Sequence, residues 1–209
     1  RNENCIGTTQ EKPMTTLLMT PEIIAIDTSG TTDQSTDDGV QKWHNIPNLG
    51  LIGFLVGSAS VQFELITRLR NGDKIETMSE RMRKGLPRYR QMFFLGKEGQ
   101  LMQFIPSTGE IIQFQYPWMQ GEILADGSGM ATIKGAYARL GPEDMDGVFL
   151  ANSLVDMNSS PSYFVFDRAT LKVSFQLNDK SVSRGFNRVT NVAYESMKNV
   201  CAEFNKELS

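Results

Sequence analysis

The residue types most able to do chemistry in this chain are a single histidine and several serines close to glycines. His44 is the only histidine among 209 residues, which excludes sites built from two or more imidazoles, including the common zinc arrangements. A Ser-His-Asp triad needs one histidine, and Ser58, Ser60 and Ser128 are candidate nucleophiles. None of them stands in the G-x-S-x-G pattern of a nucleophile elbow, since Ser128 reads D-G-S-G-M. The sequence therefore names no catalytic residue.

Motifs for cofactors and for other nucleophiles are also absent from the sequence. The chain has no S-x-x-K pattern and no phosphate-binding loop of the G-x-x-x-x-G-K-[ST] or G-x-G-x-x-G type. We therefore expect no cofactor, no metal and a protein that is not an enzyme. One acidic loop, with Asp33, Asp37 and Asp38, could gather oxygen ligands around calcium, although its spacing differs from that of a helix-loop-helix site. A solvated loop is the simpler interpretation of these aspartates.

The two cysteines lie near the two ends of the chain. Cys5 lies in a polar segment, where burial does not explain a cysteine, and Cys201 falls on the apolar face of a predicted last helix. We predict a disulfide between them, which would stabilise the fold by about 4 to 5 kcal/mol in the chain-entropy model. An intermolecular bridge and two free thiols are the alternatives. Because disulfides persist in oxidising compartments, we expect a periplasmic or secreted protein whose signal peptide has been removed before Arg1.

Positive charge is concentrated in residues 68–90, which we call the arginine-rich segment. It holds eight basic and three acidic residues in a chain whose net charge is −3. Such a segment predicts a surface that binds an acidic protein or anionic headgroups. A solvated face whose arginines pair with nearby carboxylates is the alternative. The negative net charge and the single aromatic residue of the segment argue against nucleic acid. The predicted partner-binding residues are Arg68, Arg70, Arg81, Arg83, Lys84, Arg88 and Arg90.

Two regions differ in composition, with a boundary near residue 43. Residues 1–43 are polar, with one apolar run at 23–26 that predicts an edge strand, followed by a loop that we expect to be mobile. Residues 44–209 predict a single antiparallel β domain that ends in a helix. No apolar run approaches the roughly 18 residues of a membrane-spanning helix, so we expect a chain that does not span a membrane.

Alternating and short apolar runs predict the strands of this domain. The clearest alternation covers residues 61–69, and the following Asn71-Gly72 supplies a tight hairpin turn. Three- and four-residue steps near the C-terminus predict one amphipathic helix of about 20 residues. We expect an α+β fold, a curved or closed antiparallel β-meander of about seven to nine strands with the C-terminal helix packed on it. The further predicted strands are 91–95, 101–105, 111–116, 122–125, 130–138, 148–150, 163–167 and 171–177.

Three functional hypotheses follow from these observations. The first is a non-catalytic extracytoplasmic interaction protein, such as a bacterial envelope accessory factor or an inhibitor or immunity-type protein that binds another protein. The second is a barrel-like carrier of an apolar small molecule, lined by Phe104, Phe114 and Trp118. Its architecture is similar to that of lipocalin-like carriers, but the early G-x-W is missing because Gln41-Lys42 precede Trp43. The third is a hydrolase that uses His44 or a pair of carboxylates.

Overall fold

The computed structural model describes residues 15–31, 36–37, 39–54, 56, 59–73, 92–105, 110–114, 122–156, 158–178 and 191–208. In these ranges the strands are β1 (Thr16–Met19), β2 (Ile23–Asp27), β3 (Gly30–Thr31), β4 (Thr36–Asp37), β5 (Trp43–Ile46), β6 (Leu51–Phe54), β7 (Met92–Gly96), β8 (Leu101–Ile105), β9 (Glu110–Gln113), β10 (Leu124–Gly127), β11 (Tyr163–Asp167) and β12 (Val173–Gln176). The helices are α1 (Ala59–Arg70), α2 (Met130–Leu140), α3 (Met145–Val155) and α4 (Asn191–Glu207), with a short 3-10 turn at Pro142–Asp144.

Two five-stranded antiparallel sheets make up the centre of the protein. Sheet I has the strand order β10-β1-β2-β11-β12, and sheet II has the order β5-β6-β7-β8-β9. The strands β3 and β4 pair only with each other. Sheet II is a simple meander, whereas sheet I combines strands from both ends of the chain. Its central position is taken by β2, with β1 and β11 on either side.

Three apolar clusters divide the molecule into four layers. The largest cluster lies between the sheets and includes Leu17 and Phe166 from sheet I and Phe54 and Phe93 from sheet II. A second cluster packs α1 on the outer face of sheet II. A third packs α2 and α3 on the outer face of sheet I. The order of layers is therefore α1, sheet II, sheet I, and the pair α2 and α3.

Aromatic rings hold the sheets together at the centre of the first cluster. The indole of Trp43 contacts Phe164, Phe166 and Phe204 edge-to-face, with ring centroids 5.8, 5.1 and 5.2 Å apart. Each such pair contributes about 0.5–1.5 kcal/mol beyond the area that it buries. Because Phe204 belongs to α4, these contacts also fix the C-terminal helix against the sheets. The predicted C-terminal helix is thus confirmed.

The α+β class and the antiparallel pairing are confirmed, whereas a single curved or closed meander of about seven to nine strands is wrong. Apart from the β3–β4 pair, the described strands form two separate sheets of five strands each, and no closed barrel occurs among the described residues. Chain order fails to predict sheet I because β10 returns to pair with β1, along the register Thr16 to Gly127. The apolar run at 23–26 is likewise wrong as an edge strand, since β2 pairs with β1 on one side and β11 on the other.

Three of the predicted strands are helical throughout. Residues 61–69 lie in α1, 130–138 in α2, and 148–150 in α3. In α1 the buried residues are Leu65, Ile66 and Leu69, which share one helical face. Ile66 breaks the alternation that favours a strand, and the helix accounts for it. Positions four residues apart satisfy both a period of two and a helical period, so this pattern alone does not separate the two structures.

The Asn71-Gly72 turn ends a helix instead of closing a hairpin. Gly72 has a φ of 74°, and its amide donates to the carbonyl of Leu69, while the amide of Asp73 donates to that of Arg68. Glycine with a positive φ is the usual C-terminal stop of an α-helix. The positive φ predicted for a hairpin turn therefore ends a helix instead.

Candidate active site

A buried ion pair lies where the two sheets meet. Asp27 is the last residue of β2, and Lys42 precedes β5. The Nζ atom of Lys42 donates to Oδ1 of Asp27 at 2.8 Å, and the two side chains are 6% and 0% exposed. Lysine and aspartate are seldom buried this completely unless they are paired. The pair therefore places a fixed positive charge inside the protein.

Backbone groups complete the environment of Asp27. The amide of Thr16 donates to Oδ1 at 2.9 Å, and the amide of Ser160 donates to Oδ2 at 3.1 Å. Burial raises the pKa of the Asp27 carboxyl, and the contacts with Lys42, Thr16 and Ser160 act in the opposite direction. Because Thr16 and Lys42 donate to the same oxygen, the start of β1 lies beside the lysine ammonium.

This arrangement places Thr15 next to the ion pair. It directly precedes β1 and is 4% exposed. Its carbonyl accepts from the amide of Ser128 at 2.9 Å. Side chains alternate along β1, with Leu17 and Met19 between the sheets and Leu18 toward α2 and α3. The same alternation assigns the Thr15 side chain to the face between the sheets.

Close backbone approach at this point requires glycine. Gly127 pairs with Thr16 and has a φ of 95°. A Cβ atom added at Gly127 would lie 1.7 Å from the carbonyl oxygen of Thr15, which is too close for any residue that has a side chain. A Cβ at Gly129 would lie 2.2 Å from Oγ1 of Thr16. The D-G-S-G sequence thus seats β10 and its turn against the beginning of β1.

A second carboxylate is linked to Thr15 through Ser128. Asp156 follows α3, and its Oδ2 atom accepts from the hydroxyls of Ser128 and Ser159, each at 2.7 Å. The Ser159 hydroxyl also contacts that of Thr16. Ser128 is exposed, whereas Thr15, Thr16 and Ser159 are buried. The cluster therefore has one hydroxyl at the surface and its supporting groups inside.

This set of groups has the chemistry of a nucleophile with its supports. Threonine supplies a hydroxyl, which is a weak nucleophile at its ordinary pKa and needs a base or a nearby cation. Lys42 supplies a cation, and Asp156 with its two serines supplies acceptors for a second cation. No group of three or more His, Cys, Asp or Glu residues able to hold a metal occurs within the described ranges. Acyl transfer is a reaction that a hydroxyl, a cation and such acceptors can support.

The residues predicted for partner binding are only partly described. Arg68 contacts Glu64 at 2.7 Å and Asp73 at 3.6 Å, and Nε of Arg70 donates to the carbonyl of Asn45 at 2.8 Å. These contacts are internal to the chain. The other predicted members lie outside the described residues: Arg81, Arg83, Lys84, Arg88 and Arg90. The binding surface stays a prediction.

His44 lies in β5 opposite Gly53, in sheet II. Burial and the nearby Arg70 lower its pKa to about 4, so the imidazole is neutral at ordinary pH. Among the serines proposed for a triad, Ser128 belongs to the turn after β10 and donates to Asp156. Ser60 lies in α1, and Ser58 lies outside the described residues. These placements assign Ser128 to the carboxylate cluster.

The residues predicted to line an apolar cavity do not share a face of sheet II. Phe104 belongs to the cluster beneath α1, whereas Phe114 packs against the cluster between the sheets, 5.9 Å from the ring of Phe93. Trp118 lies outside the described residues. The described surface has an open groove of about 490 Å³ that includes Leu49 and Lys97. Neither ring is among its lining residues.

The predicted disulfide and ion site also fall mostly outside the described residues. Cys201 is buried in the cluster between the sheets, and burial raises the pKa of its thiol to about 11. Cys5 is not among the described residues, so the bridge stays a prediction. Asp33 and Asp38 are likewise outside the described ranges, and Asp37 lies in β4. None of the described helices is long and apolar enough to cross a membrane.

Of the residues in this cluster, only Ser128 is a candidate from the sequence, although the sequence also carries a signal for Thr15, Thr16 and Asp27. Thr15 and Thr16 stand directly before the apolar run 17–19, and Asp27 ends the apolar run 23–26. A carboxylate at the end of an otherwise apolar strand indicates a buried charge that needs a partner. Lys42 offered no such signal, because only the fold places it against Asp27.

Comparisons with known proteins found a likeness to solved structures but not to a sequence family. No protein-family model matches the chain, and no curated protein matches its sequence. A solved structure described as Thiobacillus denitrificans BPH in complex with epoxomicin is similar to this chain, with a TM-score of 0.48 and 14% sequence identity. The alignment covers 73% of this chain and 97% of that chain. A likeness at this level carries no statement about function.

Proposed function

We propose that this protein is a hydrolase that cleaves amide bonds with the Thr15 hydroxyl as its nucleophile. The observation that carries the proposal is the position of Thr15, which is buried at the start of β1 beside the Lys42–Asp27 ion pair. The active form would begin at Thr15, after cleavage of the bond that joins it to Met14. The Thr15 α-amine would then be available as the general base.

The α-amine is suited to this role because of its pKa. An α-amino group has an unperturbed pKa of about 7.7–8.0, which is close to the ideal for a base near neutral pH. A threonine at the N-terminus carries its own base on the same residue, an arrangement known for threonine nucleophiles. This removes the need for histidine, which explains how a chain whose His44 lies elsewhere could perform nucleophilic catalysis.

Lys42 would act as an electrostatic support in this mechanism. Its ion pair with Asp27 holds a positive charge in place that can stabilise negative charge nearby. A cation next to the Thr15 hydroxyl lowers the free energy of the alkoxide character that develops during attack. Asp27 in turn holds both Lys42 and the backbone of Thr16 in place.

The cluster at Asp156 would serve the α-amine. Ser128 and Ser159 use their protons on Asp156, so each oxygen presents lone pairs to other donors. Such oxygens, backed by a carboxylate, stabilise the ammonium that forms when the amine takes up a proton. The carbonyl of Thr15 bonds to the Ser128 amide, which keeps residue 15 next to this cluster.

The reaction runs in two steps. In the first, the Thr15 oxygen forms a bond to the substrate carbonyl carbon while the α-amine takes the hydroxyl proton. The C–N bond of the substrate then breaks as the ammonium returns this proton to the leaving amine. In the second step the α-amine takes a proton from water, whose oxygen attacks the ester. The bond to Thr15 breaks, and the proton passes to the threonine oxygen.

Electrophilic labelling tests the proposal. The purified chain is treated with a peptidyl vinyl sulfone, and the adduct is located by peptide mass spectrometry together with the N-terminal residue of the labelled form. We expect one adduct, on Thr15, in a chain that begins at Thr15. Thr15→Ala should abolish labelling, whereas Thr170→Ala, in the exposed turn between β11 and β12, should leave it unchanged. Labelling that survives Thr15→Ala, or no adduct at all, would sink the proposal.

This proposal departs from the non-catalytic role that the sequence predicts. That prediction was based on local motifs, whereas the groups around Thr15 come from five separate segments of the chain. The role of the arginine-rich segment in partner binding is compatible with an enzyme and stays a prediction. Export of the protein, which depends on the disulfide, stays a prediction as well.

A further inference from the structure

Asn152 is a buried residue of α3 that the proposed reaction does not use directly. It is 0% exposed, and its Nδ2 atom donates to Oγ1 of Thr16 at 3.1 Å. Its Oδ1 atom is buried and has no hydrogen-bond partner among the described residues. Buried polar atoms without partners are rare, and each one calls for an explanation. The explanation lies in the hydrogen bonds that surround Thr16.

The carboxylate of Asp156 fixes the direction of these bonds. The ionised carboxylate only accepts, so Ser159 must give its proton to Asp156. The Thr16 hydroxyl must then donate its proton to the Ser159 oxygen. Thr16 can therefore only accept from Asn152, which requires the NH2 side of the amide to face it. The Oδ1 atom of Asn152 is therefore turned away from Thr16, which accounts for its lack of a partner among the described residues.

We propose that Asn152 is a positioning residue that holds Thr16, and through it the nucleophile Thr15, in the reactive geometry. This inference rests on the proposed function. Thr16 is held at two points, by Asp27 at its amide and by Asn152 and Ser159 at its hydroxyl. With the backbone and the side chain of one residue both fixed, the residue before it has little freedom to move. A misplacement of about 1 Å can cost 10²-fold in rate.

The local packing supports a dedicated contact between α3 and β1. A Cβ atom at Gly129 would lie 2.7 Å from Nδ2 of Asn152 and 2.2 Å from Oγ1 of Thr16, so the absence of a side chain is what lets the two groups meet. The neighbouring Ser153 is also buried, but its hydroxyl donates to the carbonyl of Leu150 within the same helix. Ser153 therefore provides a matched control.

The test compares vinyl sulfone inactivation of four forms of the processed protein: wild type, Asn152→Leu, Asn152→Asp and Ser153→Ala. We expect Asn152→Leu to lower the maximal inactivation rate by about 10- to 100-fold, with the concentration for half-maximal rate changed less than twofold. Asn152→Asp should lose at least as much, because it offers an acceptor where Thr16 needs a donor. Ser153→Ala should stay within twofold. Equal losses in Ser153→Ala and Asn152→Leu, or an unchanged rate in Asn152→Leu, would overturn the proposal.

A second measurement decides the proposal without reference to catalysis. Hydrogen exchange of the Thr16 amide, which bonds to Asp27, reports on how firmly the start of β1 is held. We expect this amide to exchange at least tenfold faster in Asn152→Leu than in wild type or Ser153→Ala, at conditions where all three are folded. Unchanged exchange refutes the positioning role. Failure of wild type to react with the probe instead refutes the proposed function, and the exchange result still decides the role of Asn152.

Discussion

Replacing Lys42 by methionine removes the cation of the buried ion pair while keeping a side chain of similar length. Asp27 would keep the amides of Thr16 and Ser160 as donors, at 2.9 and 3.1 Å, but would lose the ammonium at 2.8 Å. Its carboxylate is fully buried, so water cannot replace the lost contact. The substitution therefore leaves a charge inside the protein without its counter-charge.

We expect Lys42→Met to lower the free energy of unfolding by a large amount. Removing one partner of a buried ion pair typically costs about 3–5 kcal/mol, because the remaining charge is uncompensated. Because two backbone amides still donate to Asp27, we expect a loss of stability near the lower end of this range. Replacing both residues, as Lys42→Met with Asp27→Asn, removes both charges, so the double variant should be more stable than the sum of the two single effects by about 0.5–3 kcal/mol.

The pH dependence gives a second test of the same reasoning. Burial already raises the pKa of Asp27, and without the opposing effect of Lys42 this pKa rises further. A carboxyl whose pKa is raised on folding is stabilising below its unfolded pKa of about 3.9 and loses this contribution as the pH rises through its folded pKa. The difference in stability between wild type and Lys42→Met should therefore narrow as the pH falls from 7 toward 4.

Urea unfolding followed by circular dichroism measures these quantities, with each variant also tested for labelling at Thr15. Lys42→Met should lower the free energy of unfolding as stated and abolish labelling under conditions where the variant is folded. Lys42→Arg, which keeps the charge, should be less destabilised than Lys42→Met. A loss below about 1 kcal/mol for Lys42→Met, or strictly additive effects in the double variant, would contradict a buried ion pair whose partners depend on each other.

Two further predictions concern residues away from this cluster. The pKa of His44 is lowered to about 4 by burial and by Arg70, so the unfolded chain binds a proton there more readily than the folded chain as the pH falls below 6.5. Wild type should lose more stability than His44→Gln between pH 6.5 and 4 in urea unfolding, and parallel curves would contradict this assignment. A count of free thiols in the unfolded, unreduced and unprocessed chain should give none if Cys5 and Cys201 are bridged, whereas two reactive thiols per chain would refute the disulfide and most of the argument for export.

Local pattern in the sequence determined the elements whose signal is unambiguous over a short range. The strands at 101–105 and 163–167 agree with β8 and β11 to the residue, because apolar runs bounded by turns leave little choice. The C-terminal helix follows from an apolar stripe sustained over five turns. The antiparallel pairing follows from the short turns between strands. Each of these depends on neighbours within a few residues.

Tertiary structure alone decided the rest. Residues 61–69 satisfy a strand pattern and a helix pattern together, and α1 forms because Leu65, Ile66 and Leu69 can then all pack on sheet II. The division into two sheets depends on β10 returning to β1, over about 100 intervening residues that no local pattern records.

The candidate active site depends on tertiary structure more than any other feature. Lys42 and Asp156 have ordinary surroundings in the sequence, and only the fold brings them into one cluster with Thr15, Asp27 and Ser128. Charge and burial, the two properties on which the proposed reactivity depends, arise from contacts between segments. The cysteines and the charged segment are evident from composition alone, but the chemistry proposed for Thr15 depends on the assembled sheets.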